Sequence, residues 1–363
     1  MKKSLIALAV LAASGAAMAQ SSVTLYGVAD AAVTYVNGLD NWTGLNSGAN
    51  KTSRLGFRGV EDLGGGLKAN FVLEGGFNLD TGDGKSGGAT DSGFQFKRQS
   101  TVGLAGNFGE VRLGRELTAA YNATARYDVF GSVGIAHSQL WDDGQNLNTK
   151  TFADPYHYMP NSRVSNAITY VSPNFSGFKA AVNYGFGEIA GENRDGRYFG
   201  GGLTYDNGPL SLGLGAERLN KGDGAAMQAQ VSNDITAWSL GGSYDLGVAK
   251  LLAGYRQSTA KDVMGLGDMK NRGYMLAVTA PVGPGLVRAA YNRYETKFDG
   301  DKGVTDQFGL GYVYNLSKRT SVYGTYAYIK NKDDNALNLS VGSGGAKTNG
   351  SQQAVQVGVT HAF

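Results

Sequence analysis

Cysteine is absent from the 363 residues, which excludes a disulfide framework and thiolate metal sites. Histidine is nearly absent: His137, His157 and His361 are the whole set. Nothing in their placement sets one beside a nucleophile and an orienting acid, so no enzyme is expected. Excess charge is missing as well. Lys+Arg number 33 against 30 Asp+Glu, whereas a nucleic-acid binder should be clearly basic. Beyond the N-terminus, no stretch reaches the roughly 18 apolar residues that a membrane-spanning helix needs. Proline is scarce, at 6 against 56 glycines. Together they stay below the level of low-complexity chains, and the glycines are interleaved with aromatics.

What is present begins with an export leader. Lys2 and Lys3 form a basic start, Leu5 to Ala13 an apolar core too short to cross a bilayer as a helix, and Ala17-Met18-Ala19 an A-x-A cleavage site. Residues 1–19 are therefore read as a signal peptide and 20–363 as one mature domain. Without the two leader lysines, 31 basic residues face 30 acidic ones. An exported chain rich in glycine and tyrosine, without apolar helices, fits an outer-membrane β-barrel, in which only every second residue faces lipid.

The stretch Ser53 to Phe77 shows the plan that the rest repeats. Arg54, Gly56 and Arg58 share one face of a strand, and Leu55 and Phe57 the other. After the turn Asp62-Leu63-Gly64-Gly65-Gly66, Lys68, Asn70, Val72 and Glu74 alternate with Leu67, Ala69, Phe71 and Leu73. An arginine on the lipid side at mid-membrane costs about 2–4 kcal/mol. The apolar phases therefore direct Arg54, Arg58, Lys68, Glu74, Lys179 and Asn183 inward. Tyr35, Tyr184, Tyr291, Tyr312, Tyr314 and Phe363 suit interfacial girdles. Arg98 is a difficulty, because a strand over 94–105 would give it the lipid-facing phase of Val102 and Leu104.

Such runs predict an all-β, transmembrane antiparallel barrel of about sixteen strands, with fourteen or eighteen also open. Short connections alternate with long ones at 37–51, 80–93, 118–162, 188–196, 221–233, 260–270, 298–303 and 332–351, as periplasmic turns and outer loops should. The longest, Thr118 to Ser162, has no sustained alternation, and a connection of that length is usually functional. It carries Arg126, Asp128, Asp142, Asp143, Lys150 and Asp154 besides His137 and His157. No cofactor or metal is expected. Gly82-Asp-Gly-Lys-Ser86 lacks the first glycine of a phosphate loop, which would fall at Leu79. Asp80 and Asp83, and Asp333-Asp334, have no ligand spacing that commits to a cation.

The pattern Ser22-Val-Thr-Leu-Tyr-Gly-Val-Ala-Asp30, followed by Arg54-Leu-Gly-Phe-Arg-Gly-Val-Glu-Asp-Leu-Gly-Gly-Gly-Leu-Lys-Ala69, resembles general-diffusion porins of the neisserial and betaproteobacterial type. So do Arg98-Gln-Ser-Thr-Val-Gly-Leu104, Leu113-Gly-Arg115, Asn166-Ala-Ile-Thr-Tyr-Val-Ser-Pro173, Leu316-Ser-Lys-Arg-Thr320 and the terminal Gly358-Val-Thr-His-Ala-Phe363. The resemblance implies a trimeric barrel of sixteen strands with its long third loop, 118–162, folded into the pore. It implies a constriction with a basic wall at Arg54 or Arg58, Arg98 and Arg163. Opposing acids would be Glu74 and a loop residue, Asp128, with Glu116 a further candidate. The partners implied are outer-membrane lipid and lipopolysaccharide, two further copies of the chain, and the barrel-assembly machinery reading Phe363. The expected activity is passive diffusion of ions and small hydrophilic solutes with a weak anion preference, since charged rings bias ions and basic ones favour anions.

Overall fold

The structure, a computed structural model, describes residues 22–84, 93–141, 162–188, 190–191, 194–220, 234–263, 267–339 and 347–363. The leader 1–19 and its cleavage point before Gln20 lie outside the described residues. The strands are β1 (Ser22–Asn37), β2 (Trp42–Ser47), β3 (Arg54–Gly64), β4 (Leu67–Gly76), β5 (Gln99–Gly106), β6 (Gly109–Leu117), β7 (Arg163–Val171), β8 (Phe178–Gly185) and β9 (Tyr198–Asn207). They continue as β10 (Leu210–Asn220), β11 (Asp234–Asp245), β12 (Lys250–Ala260), β13 (Met269–Val282), β14 (Gly285–Phe298), β15 (Asp301–Asn315), β16 (Thr320–Lys332) and β17 (Ser351–Ala362). β1 pairs antiparallel with both β2 and β3, from β3 onward each strand pairs antiparallel with the next, and β17 closes onto β1 from Val28↔Ala362 to Asn37↔Gln353.

The result is a closed barrel of sixteen staves, because β2 and β3 share one. The first half of β1 pairs with β3 and its second half with β2. Closure removes the free sheet edges that lipid could not satisfy. The sequence alone reads 37–51 as loop. Its strand β2 is only six residues, too short for alternation to announce it, and it forms because the long β1 offers an otherwise unpaired edge.

Alternation fixes which side is which. In β17 the outward Val355, Val357 and Val359 are exposed, whereas the inward Gln352, Gln356 and Thr360 are buried. The same split puts Leu212, Leu214, Leu240 and Leu276 outside and Asn183, Ser239, Asn292 and Gln307 inside. At the hairpin that the sequence singled out, Gly64, Gly65 and Gly66 all take positive φ, and Asp62 accepts a hydrogen bond from the Gly64 amide at 2.9 Å.

The main hydrophobic cluster is inside the barrel. Thr118 caps a short helix, α1 (Ala119–Thr124), by accepting from the Tyr121 amide at 3.2 Å. Short 3₁₀ turns follow at Ala125–Tyr127 and Gln139–Trp141. Tyr127, Phe130, Ile135, Leu140 and Trp141 pack with Met275, Tyr294, Ile329, Leu337 and Leu339. Glycines let this segment approach the wall: a Cβ at Gly202, Gly213 or Gly215 would meet the backbone of Ala119, Ala123 or Ala120. Polar wall residues then hold it. The Gln139 amide donates to the Tyr294 hydroxyl at 2.9 Å, Gln307 Nε2 to the His137 carbonyl at 3.2 Å, and Arg256 Nη1 to the Leu140 carbonyl at 2.9 Å. Arg256 is itself fixed by Glu217 at 2.9 Å, which also accepts from the Tyr198 hydroxyl at 2.9 Å.

Candidate functional site

Residues from five parts of the chain enclose a cavity of about 580 Å³. Among the described residues its charged lining is Lys51, Arg54, Arg98, Arg126, Arg163 and Arg288, with Asp128 the single acid. Two of the arginines expected from the sequence meet at Glu74 on β4, and a third is tied to one of them. Glu74 Oε1 accepts from Arg98 Nε at 2.7 Å, Oε2 accepts from the Tyr26 hydroxyl at 3.0 Å, and Arg54 Nε stands 3.8 Å away. Arg163, at the start of β7, donates from Nε to the Arg98 carbonyl at 2.9 Å. One carboxylate is thus shared by two guanidiniums, which leaves the group net positive.

The phase difficulty at Arg98 has a simple resolution. The strand does not run from about 94; β5 begins at Gln99, and 93–98 is irregular. The Arg98 amide donates to the Glu74 carbonyl at 3.1 Å, and Phe96 packs edge-on to Phe57. Freed from the pleat, Arg98 turns to the same side as Glu74.

Arg54 and Arg58 are alternatives in the sequence. Arg54 lines the cavity; Arg58, four residues further along β3, does not, and stacks its guanidinium 5.3 Å from the Tyr26 ring. Glu116 is buried on β6 and pairs with Arg112 at 2.7 Å, beside Glu110 at 2.8 Å from the same arginine. It does not line the cavity. Asp128 does, but its oxygens face its own loop: they accept from the amides of Phe130 at 2.9 Å, Ser132 at 2.8 Å and Ser138 at 3.0 Å. Burial raises its pKa, against the opposing pull of His137 and the three amides. Asp142, Asp143, Lys150, Asp154 and His157 lie outside the described residues. Phe363 sits at the seam, exchanging both backbone hydrogen bonds with Gly27 at 3.1 Å, its ring where a Gly27 side chain would be.

Sequence reasoning missed part of the lining. Arg288 was legible in principle, since it shares phase with the inward Asn292 and Tyr294. It donates to Asn50 Oδ1 at 3.0 Å and to the Val129 carbonyl at 3.3 Å, and lies 4.8 Å from the Phe130 ring. Lys51 carried no signal. It is placed by Asp30, a fully buried carboxylate on β1 that gathers the amides of Ala49 (2.6 Å), Asn50 (3.2 Å) and Lys51 (3.3 Å). Asp30 also accepts from the Tyr323 hydroxyl at 2.8 Å and from the Thr360 hydroxyl. This knot turns 48–53, the link between β2 and β3, toward the cavity.

Residues 5–334 match the family model described as Gram-negative porin. The chain is 46% identical to outer membrane porin protein 32 of Delftia acidovorans, over the whole of both chains. Among solved structures, the anion-selective porin from Comamonas acidovorans superposes with a TM-score of 0.82 at 43% identity, covering 95% of this chain and 100% of that one. OmpT, an outer membrane protein of Vibrio cholerae in its trimer form, shares the fold alone, with a TM-score of 0.68 at 17% identity over 94% of this chain and 99% of that one.

Proposed function

The chain belongs to the Gram-negative porin family, and from the geometry of the cavity we infer how it selects among solutes. It is an outer-membrane porin, a channel for passive diffusion of ions and small hydrophilic solutes. The segment 118–162 narrows the lumen, and the channel prefers anions, as its relative, the anion-selective porin from Comamonas acidovorans, does. One observation carries it: among the described residues, six cationic side chains and one carboxylate surround the same space, and the carboxylate is turned to backbone amides. A ring biased in this way attracts an anion at several successive points without trapping it at any, as conduction requires.

In this reading Arg54, Arg98 and Arg163 form the basic wall, with Lys51 and Arg288 extending it. Glu74 orients Arg98 and tempers the wall's charge. Asp128 braces the loop, and Glu116 fixes Arg112. Arg58 acts below the constriction. No step needs a bond to be made or broken, so the protein works as a channel and not as an enzyme. Residues 1–19 serve as the cleaved leader, Phe363 as the signal for the assembly machinery, and three copies assemble in a membrane of phospholipid and lipopolysaccharide. Reversal potentials of the refolded mature chain in a planar bilayer under a salt gradient test the selectivity. A cation-preferring potential refutes it, and conductance that does not close in steps of three refutes the trimer.

A further inference from the structure

Arg126 lines the cavity but is not part of the basic wall. It follows α1 in the first 3₁₀ turn and also lines a second, polar pocket of about 410 Å³. That pocket is built from residues 206–211, around the turn from β9 to β10, with Ser243, Asp245 and Lys250 of β11 and β12. It therefore lies toward the end of the barrel that carries the short connections. One guanidinium borders both the constriction cavity and the space beyond it. Arg126 Nη2 donates to Asp206 Oδ1 and to Ser211 Oγ at 2.6 Å, and the Ser211 hydroxyl donates to the same carboxylate oxygen at 2.7 Å. Nε and Nη1 of Arg126 have no acceptor among the described residues. The Arg98–Glu74 pair has side chains 18% and 14% exposed, and Arg256–Glu217 6% and 5%, whereas Arg126 and Asp206 are 37% and 49% exposed. Exposed ion pairs contribute little, so they exchange partners at low cost. Lys250 and Asp245, 3.3 Å apart, form a second exposed pair in the same pocket.

We propose that Asp206 is the release partner of Arg126: Arg126 takes up a doubly charged oxyanion from the constriction cavity, and Asp206, reclaiming the guanidinium, frees that anion into the pocket beyond. The proposal rests on the anion-channel reading and adds a specificity-determining pair to it. A guanidinium has five N–H donors in a planar fork, which suits an anion that offers two oxygens. The open Nε and Nη1 donors engage the anion while Nη2 still holds Asp206, so neither partner leaves before the other arrives. Without the carboxylate the same fork would keep the anion, and a site that keeps its ion does not conduct. The constriction cavity has cations in excess; the pocket matches each of its two cations with a carboxylate. Capture is therefore favoured on one side of Arg126 and release on the other.

The test measures how inorganic phosphate reduces the chloride current through the mature protein in a planar bilayer. Asp206→Asn should lower the phosphate concentration that halves the current by about threefold, the size of effect an exposed ion pair supports. Arg126→Gln should raise that concentration, and the double variant should behave as Arg126→Gln alone. These opposite signs separate release from a merely structural latch, in which loss of either side chain would loosen the loop in the same way. Shifts of the same sign in the two single variants overturn the proposal, and so does an Asp206→Asn variant that phosphate affects no more than the unsubstituted protein. An equal Asp206→Asn effect with and without Arg126 also overturns it, since the carboxylate would then act through its field and not through that arginine. Arg126→Lys keeps the charge and should retain part of the Asp206 dependence. A cation-preferring reversal potential in the unsubstituted protein would refute the anion-channel reading itself, whereas anion preference combined with any failure above refutes the release role alone.

Discussion

Neutralising Arg54 and neutralising Glu74 should move selectivity in opposite directions. The two side chains are 3.8 Å apart on one wall, so a solute passing one passes the other, and the change in size is small for Arg54→Gln and Glu74→Gln alike. A cavity of about 580 Å³ is equivalent to a sphere about 5 Å in radius, which puts a lining charge about 7 Å from a central ion. At that distance in water a unit charge contributes about 0.6 kcal/mol, and about 0.3 kcal/mol after screening at 0.1 M salt. What the anion gains the cation loses, so each unit of wall charge changes the anion-to-cation ratio about threefold. Arg54→Gln should lower the ratio about threefold, Glu74→Gln should raise it by a similar factor, and the double variant should return near the starting value. Reversal potentials read this directly. If both single variants shift the ratio the same way, shape and not charge sets the preference, and the electrostatic account fails.

Raising the salt toward 1 M, where the screening length is about 3 Å, should bring the ratio close to one. Persistence of full selectivity would point to direct anion binding. Gly213→Val places a side chain against the Ala123 backbone; it should push α1 into the lumen and lower single-channel conductance, and unchanged conductance would mean that the helix is not held at that wall. Asp128→Ala strands three buried amide donors at about 1–3 kcal/mol each. Its current should become noisier while the barrel's thermal transition moves little, and a quiet trace would deny Asp128 the bracing role. Asp30→Ala removes the acceptor for three amides and two hydroxyls, so it should lower the thermal transition itself, by several degrees in calorimetry.

The barrel was legible because lipid imposes a period of two that survives in single residues: Val355, Val357 and Val359 against Gln356 and Thr360 are enough to orient β17. Arg54 and Glu74 were directed inward for the same reason, lying within such runs, whereas Arg163 was named only through the family resemblance. Where the pleat stops, periodicity says nothing. Arg98 looked misplaced because the irregular stretch 93–98 was read as strand. Lys51 could not be found because its position depends on Asp30, a contact made twenty-one residues earlier in the chain. Glu116 had the right charge and neighbourhood, but Arg112, four residues before it on the same face, claims it. The role expected of Asp128 depended on the direction its carboxylate takes, which backbone amides two to ten residues further along the chain decide.

The Asp30 knot joins pieces that synthesis separates by the whole length of the polypeptide. Its carboxylate belongs to the first strand, and its hydroxyl donors Tyr323 and Thr360 to the last two. The same carboxylate aims Lys51 and, through Asn50, meets Arg288. A cylinder whose ends have not yet zipped therefore lacks both its seam and the full set of contacts around the carboxylate that places Lys51. Only the arrival of the final residues finishes both at once.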